Sequence, residues 1–220
     1  MKNKKCYLII GILALAIIIF IFCKMNYKVR ENGNNISNKS IEEIEEYILN
    51  INEYETEAEI EIQSNKNSNK YKIYQKVKDD VMEQEIKEPK NIEGVKIKYE
   101  NGNLQITNEQ LGLTTLYEKY NNITNNNLWL TSFIKEYKDM QESNIKYEND
   151  KIVLEVKDSS SKYNSYKKLY CNNKTMQPEK LEIRDENQNL RIYISYKEMK
   201  ISNNRDIVAF KIKNLYYGEY

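Results

Sequence analysis

Hydrophobic and polar residues alternate with a period of two through most of the chain, the pattern of half-buried β-strands. EYETEAEIEIQ (53–63) is the clearest stretch: Tyr54, Thr56, Ala58, Ile60 and Ile62 share one face, and Glu53, Glu55, Glu57, Glu59 and Glu61 share the other. KYKIYQKVK (70–78) alternates likewise, with Tyr71, Ile73, Gln75 and Val77 facing in and Lys70, Lys72, Lys76 and Lys78 facing out. A hairpin that sets Gln63 opposite Lys70 pairs Glu61 with Lys72, Glu57 with Lys76 and Glu55 with Lys78. Opposite charges across such a pair contribute about 0.2–1 kcal/mol each. The matching Lys stripe therefore reads the Glu stripe as sheet pairing and not as a cation site. Three further hairpins follow. Asn101-Gly102 sits between Val95, Ile97, Tyr99 and Leu104, Ile106; Asn149-Asp150 sits between Ile145, Tyr147 and Ile152, Leu154, Val156; and DENQN (185–189) divides KLEI from LRIYISY. EMKIS and IVAFKIKNLYY end the series. About ten strands in a meander, with only two Pro, predict a curved antiparallel sheet or incomplete β-barrel.

Three segments depart from this period. Ser40-Ile-Glu-Glu43 matches a capping box, and Ile41, Ile44, Ile48 and Ile51 then fall on one face of a short amphipathic helix. NNNLWLTSFIKEYKDM (125–140) has Leu130, Phe133, Ile134 and Tyr137 at helical spacing beside Trp129, the only Trp, with Asn127 placed to cap. It predicts a three-turn helix lying against the concave face of the sheet. LGLTTLYEKYNNI (111–123) is ambiguous between strand and helix. The third segment is the apolar run from Tyr7 to Cys23, flanked by Lys2, Lys4, Lys5 and by Lys24, Lys28, Arg30. Its 17 residues span about 26 Å as a helix, slightly short of a roughly 30 Å hydrocarbon core, a difference that snorkelling lysines cover. The basic head favours an inside N-terminus. The fold class is thus mainly β (α+β), with short helices plugging the sheet and one N-terminal transmembrane or signal-anchor helix in front. The domains are an anchor or signal segment (1–25), a polar flexible linker (26–39) and an extracytoplasmic domain (40–220).

Charge and composition narrow the function. With 34 basic and 33 acidic residues the net charge is +1, which gives no reason to propose nucleic acid as a partner. The chain has no His. Catalysis by Ser-His-Asp or Cys-His, and zinc sites built on imidazole, are therefore outside its repertoire. Of Cys6, Cys23 and Cys171, only Cys171 lies in the soluble part, in phase with Leu169 on a predicted strand, where it reads as a buried, inert thiol. No catalytic residue, metal ligand set or cofactor motif emerges.

Four segments carry a family resemblance: INEYETEAEIEIQSNKNSNKYKIYQ (51–75), IKEPKNIEGVKIKYENGNLQITN (86–108), NNLWLTSFIKEY (126–137) and NKTMQPEKLEI (173–183). Their order and spacing resemble the GerS family of germination lipoproteins from spore-forming anaerobes, within the LolA-like fold of outer-membrane lipoprotein carriers. The resemblance implies a non-enzymatic sporulation and germination protein on the outer face of the forespore membrane system, in the intermembrane space. It implies as partner a zinc-dependent N-acetylmuramoyl-L-alanine amidase of the spore cortex, whose modification of peptidoglycan leads to muramic-δ-lactam. Metal and hydrolytic groups would belong to that amidase. One motif departs from the lipoprotein pattern. In FIFCKM (20–25) Phe22 precedes Cys23, where a lipoprotein signal has a small residue. Cys23 is the candidate lipidation residue by position, but the bulk of Phe22 favours an uncleaved helix held in the membrane through residues 7–23. The alternative function is a lipid or lipoprotein carrier or sensor of the envelope, with an acyl chain in the barrel lined by Trp129, Leu130, Phe133, Ile134 and Tyr137. The same five residues otherwise form an ordinary core plug. Open sheet edges also suggest a homodimer formed by strand exchange. No partner-contact residue stands out in the sequence.

Overall fold

The computed structural model describes residues 40–64, 66–120 and 126–202. The anchor at 7–23, Cys23, the linker and IVAFKIKNLYY lie outside the described residues. Helix α1 (Ile41–Leu49) leads into β1 (Tyr54–Gln63), β2 (Ser68–Lys78), β3 (Val81–Glu88), a 3-10 turn (Lys90–Ile92), β4 (Val95–Glu100), β5 (Asn103–Asn108) and β6 (Leu113–Tyr117). Helix α2 (Leu130–Asp139) then precedes β7 (Ser143–Glu148), β8 (Lys151–Lys157), β9 (Tyr166–Asn172), β10 (Pro178–Arg184) and β11 (Leu190–Ile201).

All eleven strands join one antiparallel sheet, in the order β6-β5-β4-β3-β2-β1-β11-β10-β9-β8-β7. This is not the single meander expected. There are two meanders, β1–β6 and β7–β11, zipped together where β1 pairs with β11. The chain leaves the sheet at one edge after β6 and re-enters at the other with β7, and α2 lies on the way. The ambiguous segment at 111–123 thus supplies an edge strand. The sheet stays open among the described residues, with β6 and β7 as its free edges.

The faces follow the alternation. Tyr54, Thr56, Ala58 and Ile60 of β1 are buried, as are Ile73, Gln75 and Val77 of β2. With Leu154, Leu169, Leu181, Ile183 and Ile194, the apolar ones among them pack into one core with Ile44 and Ile48 of α1 and the apolar face of α2. Tyr147, beside the Asn149-Asp150 turn, is 57% exposed; it lies on β7, an edge of the sheet among the described residues.

The β1–β2 register is two residues away from the expected one: Gln63 pairs with Ser68, Glu61 with Lys70, Glu59 with Lys72 and Glu55 with Lys76. The turn explains the shift. The Ser64 N–H donates to the Asn67 carbonyl at 2.8 Å, and the Ser64 hydroxyl takes the Asn67 N–H at 3.0 Å, so pairing resumes at once. A two-residue slip keeps every side chain on its face, and the Glu column still meets the Lys column. Lys72 bonds Glu88 at 2.8 Å, Lys70 approaches Glu61 at 3.5 Å, and among the described residues no group of three or more His, Cys, Asp or Glu forms a metal-sized cluster.

Three hairpins turn on paired left-handed residues: Asn101-Gly102 (φ 50° and 78°), Asn149-Asp150 (49° and 58°) and Asp79-Asp80 (51° and 64°). The first two match the expectation for such turns; the third has two aspartates where Gly would be usual and went unread. EMKIS is not a separate strand. It continues β11 past a register shift between Glu55 and Glu57 of β1, with Glu198 at φ 47° as the extra residue.

Candidate functional site

Helix α2 has two faces of different chemistry. Trp129 just before it and Leu130, Phe133, Ile134 and Tyr137 on it are 0, 0, 2, 5 and 4% exposed. All five sit in the core cluster, with the Phe133 and Tyr137 rings 6.2 Å apart. The helix start is held from across the sheet. Asn127 does not cap it: the N-cap is Trp129, which has no side-chain cap. Instead the Tyr54 hydroxyl accepts the Leu130 N–H at 3.3 Å, and the Gln75 side-chain amide donates to the Leu128 carbonyl at 2.9 Å. The Tyr54 hydroxyl also lies 3.5 Å from the Gln75 side-chain oxygen. Burial pushes the Tyr54 phenol well above its ordinary value, the Leu130 amide opposing it only in part. Near the other end the Tyr137 hydroxyl donates to the Glu45 carboxylate at 2.5 Å, which ties α2 to α1.

Asn127 does something else. Its side-chain oxygen accepts from the Lys167 ammonium at 2.7 Å, and Lys167 also pairs with the Glu136 carboxylate. Lys167 is only 6% exposed because it occupies an inward position of β9, in phase with Leu169 and Cys171. These three residues form the inner end of a cleft of about 300 Å³ between the second face of α2 (Ser132, Lys135, Glu136, Asp139) and the loop that joins β8 to β9. The loop is braced. The Asp158 N–H bonds the Ser165 carbonyl at 2.8 Å, and the Glu186 N–H bonds the Lys162 carbonyl at 3.0 Å. Asp158 accepts the Ser160 hydroxyl at 2.6 Å, and that bond, with help from Lys167, holds its carboxyl below the usual range against the effect of burial. Met140 is the one apolar residue of the lining, and no aromatic ring contributes. The cleft therefore suits neither an acyl chain nor a sugar stacked on a ring. Sequence reading missed it because its two walls come from separate stretches of the chain, residues 127–140 and 158–167.

The second feature is the β6 edge. All five of its residues are exposed. Leu111, Leu113, Leu116 and Tyr117 are 67, 59, 55 and 48% exposed, four of the six large exposed hydrophobics among the described residues. Gln110–Tyr117 carries no charge in a chain that is 30% charged. Free edges are ordinarily guarded by charge, and β7 at the other edge is, through Lys146 paired with Glu148 and Glu155.

Cys171 is fully buried opposite Ile152, and burial, then Glu179, raises its thiol far above the reactive range. Trp129 Nε1 and the Tyr196 hydroxyl are buried without a hydrogen-bond partner among the described residues. Among those residues no helix is long and apolar enough to cross a membrane.

No protein-family model matches the chain, and no curated protein matches it. Among solved structures it is similar to that of the GerS lipoprotein in complex with the CwlD amidase from Clostridioides difficile, at 25% identity over 75% of this chain and 98% of that one, with a TM-score of 0.49. It is also similar to a LolA superfamily protein from Nitrosomonas europaea, at 14% identity over 77% and 97% of the two chains, with a TM-score of 0.39. A third is in the MucA/MucB complex of Pseudomonas aeruginosa, at 11% identity over 71% and 56%, with a TM-score of 0.42. The similar structures thus include the group that the sequence resembles.

Proposed function

We propose that the chain is a non-enzymatic, membrane-anchored extracytoplasmic protein of the sporulating cell. It docks and supports the cortex N-acetylmuramoyl-L-alanine amidase needed for muramic-δ-lactam formation. The sequence resemblance supplies the partner's identity. The observation that carries a docking role is the edge at β6, uncharged and apolar, and unpaired among the described residues. Its free backbone groups give register to an added strand, and Leu113, Leu116 and Tyr117 give it apolar contacts. Glu109, which pairs with Lys96 at 2.7 Å, and Glu118 beside Lys119 bound the uncharged run. The occupant that fits is an extended amidase segment with an apolar, uncharged centre.

The magnitude is sufficient. Fully burying a Leu-sized side chain contributes about 1.5–3 kcal/mol, and roughly half of each of these three is still available to a partner. Replacing Leu113 and Leu116 by Lys removes about 2–3 kcal/mol of that and weakens binding by roughly 30–140-fold. The test co-expresses the full chain with the organism's cortex amidase and measures co-purification and amidase activity. Wild type brings the amidase down and the Leu113→Lys/Leu116→Lys variant does not, while its melting temperature is unchanged. Absence of a wild-type complex, or equal capture by the variant, discards the reading. A dimer that forms at high concentration without amidase, and is lost in the same variant, assigns the edge to a second copy instead.

A further inference from the structure

Burying an ammonium is unfavourable unless its donors are met. Lys167 has three N–H donors. Asn127 at 2.7 Å and the Glu136 carboxylate take two, and no acceptor for the third is present among the described residues. Lys167 pairs with Glu136 and also acts on Asp158, so the cleft sets two ammonium groups, Lys135 and Lys167, against three carboxylates, Glu136, Asp139 and Asp158. Lys135 and Asp139 are exposed at its mouth, and Asp158 is half-buried in the braced loop. The cleft thus presents a recessed hydrogen-bond donor and an excess of negative charge around it. Its complement is a small polar molecule that carries a cation next to a carbonyl.

We propose that this cleft binds the free amino terminus of a short peptide. The peptide's ammonium lies against Asp139 and Asp158, its first carbonyl accepts from Lys167, and a carboxylate farther along meets Lys135. The ligand's biological meaning rests on the amidase reading above. Hydrolysis of the muramoyl–alanine amide adds water across the C–N bond, so the sugar fragment keeps a carboxylate and the released peptide begins with a free alanine amine. The cleft distinguishes that product from the uncut strand, whose alanine nitrogen is an amide with no charge to offer.

The probe is the dipeptide alanyl-glutamate, titrated calorimetrically into the full chain, with its N-acetylated form as the control. The free amine binds saturably at millimolar concentration or better, and acetylation weakens it about tenfold or more, the size of one lost charge-assisted contact. Asp139→Asn, at an exposed position where folding is not at stake, weakens the free-amine peptide and leaves the acetylated one unchanged. Lys167→Met weakens both, and its circular dichroism shows whether the sheet is intact. No saturable binding of the free-amine peptide, or equal binding of the acetylated one, overturns the proposal. Peptide binding without an amidase complex sinks the docking role alone, and an amidase complex without peptide binding sinks the cleft alone.

Discussion

The two side chains that reach across the core to the start of α2 offer a sharp test of how the helix is held. Gln75 is fully buried and its amide meets the Leu128 carbonyl at 2.9 Å. Replacing it by Leu keeps the volume but leaves that half-buried carbonyl without its donor, which costs about 1 kcal/mol or more. Tyr54→Phe removes the hydroxyl that accepts the Leu130 N–H at 3.3 Å, and the orphaned amide costs a similar amount. The two losses will not add. Once either contact is gone the first turn of α2 relaxes and the other contact loosens, so the double variant falls short of the sum by about 1 kcal/mol. Urea unfolding followed by the fluorescence of Trp129 reads this directly, since that residue is the only Trp and sits at the junction. Amide exchange at Leu130 should accelerate in both single variants. Two singles within about 0.5 kcal/mol of wild type, with Leu130 exchange unchanged, would refute the claim that these side chains replace a local cap.

Two further outcomes follow from burial and charge. In a Cys6→Ser/Cys23→Ser background the remaining thiol, Cys171, should react with a disulfide reagent only at the rate at which the domain opens, and at once in denaturant; rapid native labelling would contradict its burial. Stability should fall at both ends of the pH scale. Burial raises the Tyr54, Tyr137 and Tyr196 phenols, so above about pH 10 the unfolded chain loses protons that the folded one keeps and unfolding is favoured. Glu155, Glu179 and Glu182 are held below the usual carboxylate value, burial being outweighed by Lys146 and Lys168, by Lys151 and Asn172, and by Lys180 and Arg184. Their contribution is present above the ordinary glutamate pKa of about 4.5 and is lost as pH falls below it; a urea midpoint that holds from pH 6 down to pH 3 would contradict this.

Side-chain alternation made β1, β2, β4 and β5 readable because each strand has one wet face and one dry one, and the left-handed Asn-Gly turn marked its own place. What alternation cannot report is which strands become neighbours. The pairing of β1 with β11, and the return of the chain to the far edge, depend on contacts between residues some 140 positions apart. The β1–β2 register was lost for a smaller reason: the hydroxyl of one Ser closed a turn that composition alone read as a longer loop. The β6 edge escaped because LGLTTLY satisfies a strand and a helix equally well, and only the missing neighbour reveals its apolar side chains as exposed. Lys167 was unreadable in principle, since a lysine on the inward phase of a strand makes sense only once Glu136 and Asn127 arrive from another element.

The contrast between the two faces of α2 separates the competing functions. An acyl carrier needs the apolar face to line a space that a chain can enter, yet Trp129, Leu130, Phe133, Ile134 and Tyr137 are packed against strands on both halves of the sheet. Admitting a lipid there means displacing side chains whose removal from a close-packed core costs about 2–5 kcal/mol each. Those same residues repeat at the helical period, so the face opposite is set as well. Ser132, Lys135, Glu136 and Asp139 point where the β8–β9 loop stands, and that side is polar, open and already ordered. A helix built this way spends its apolar surface on holding the sheet together and leaves its charged surface, with the uncovered edge at β6, to meet other molecules. That division favours a protein that recognises over one that carries.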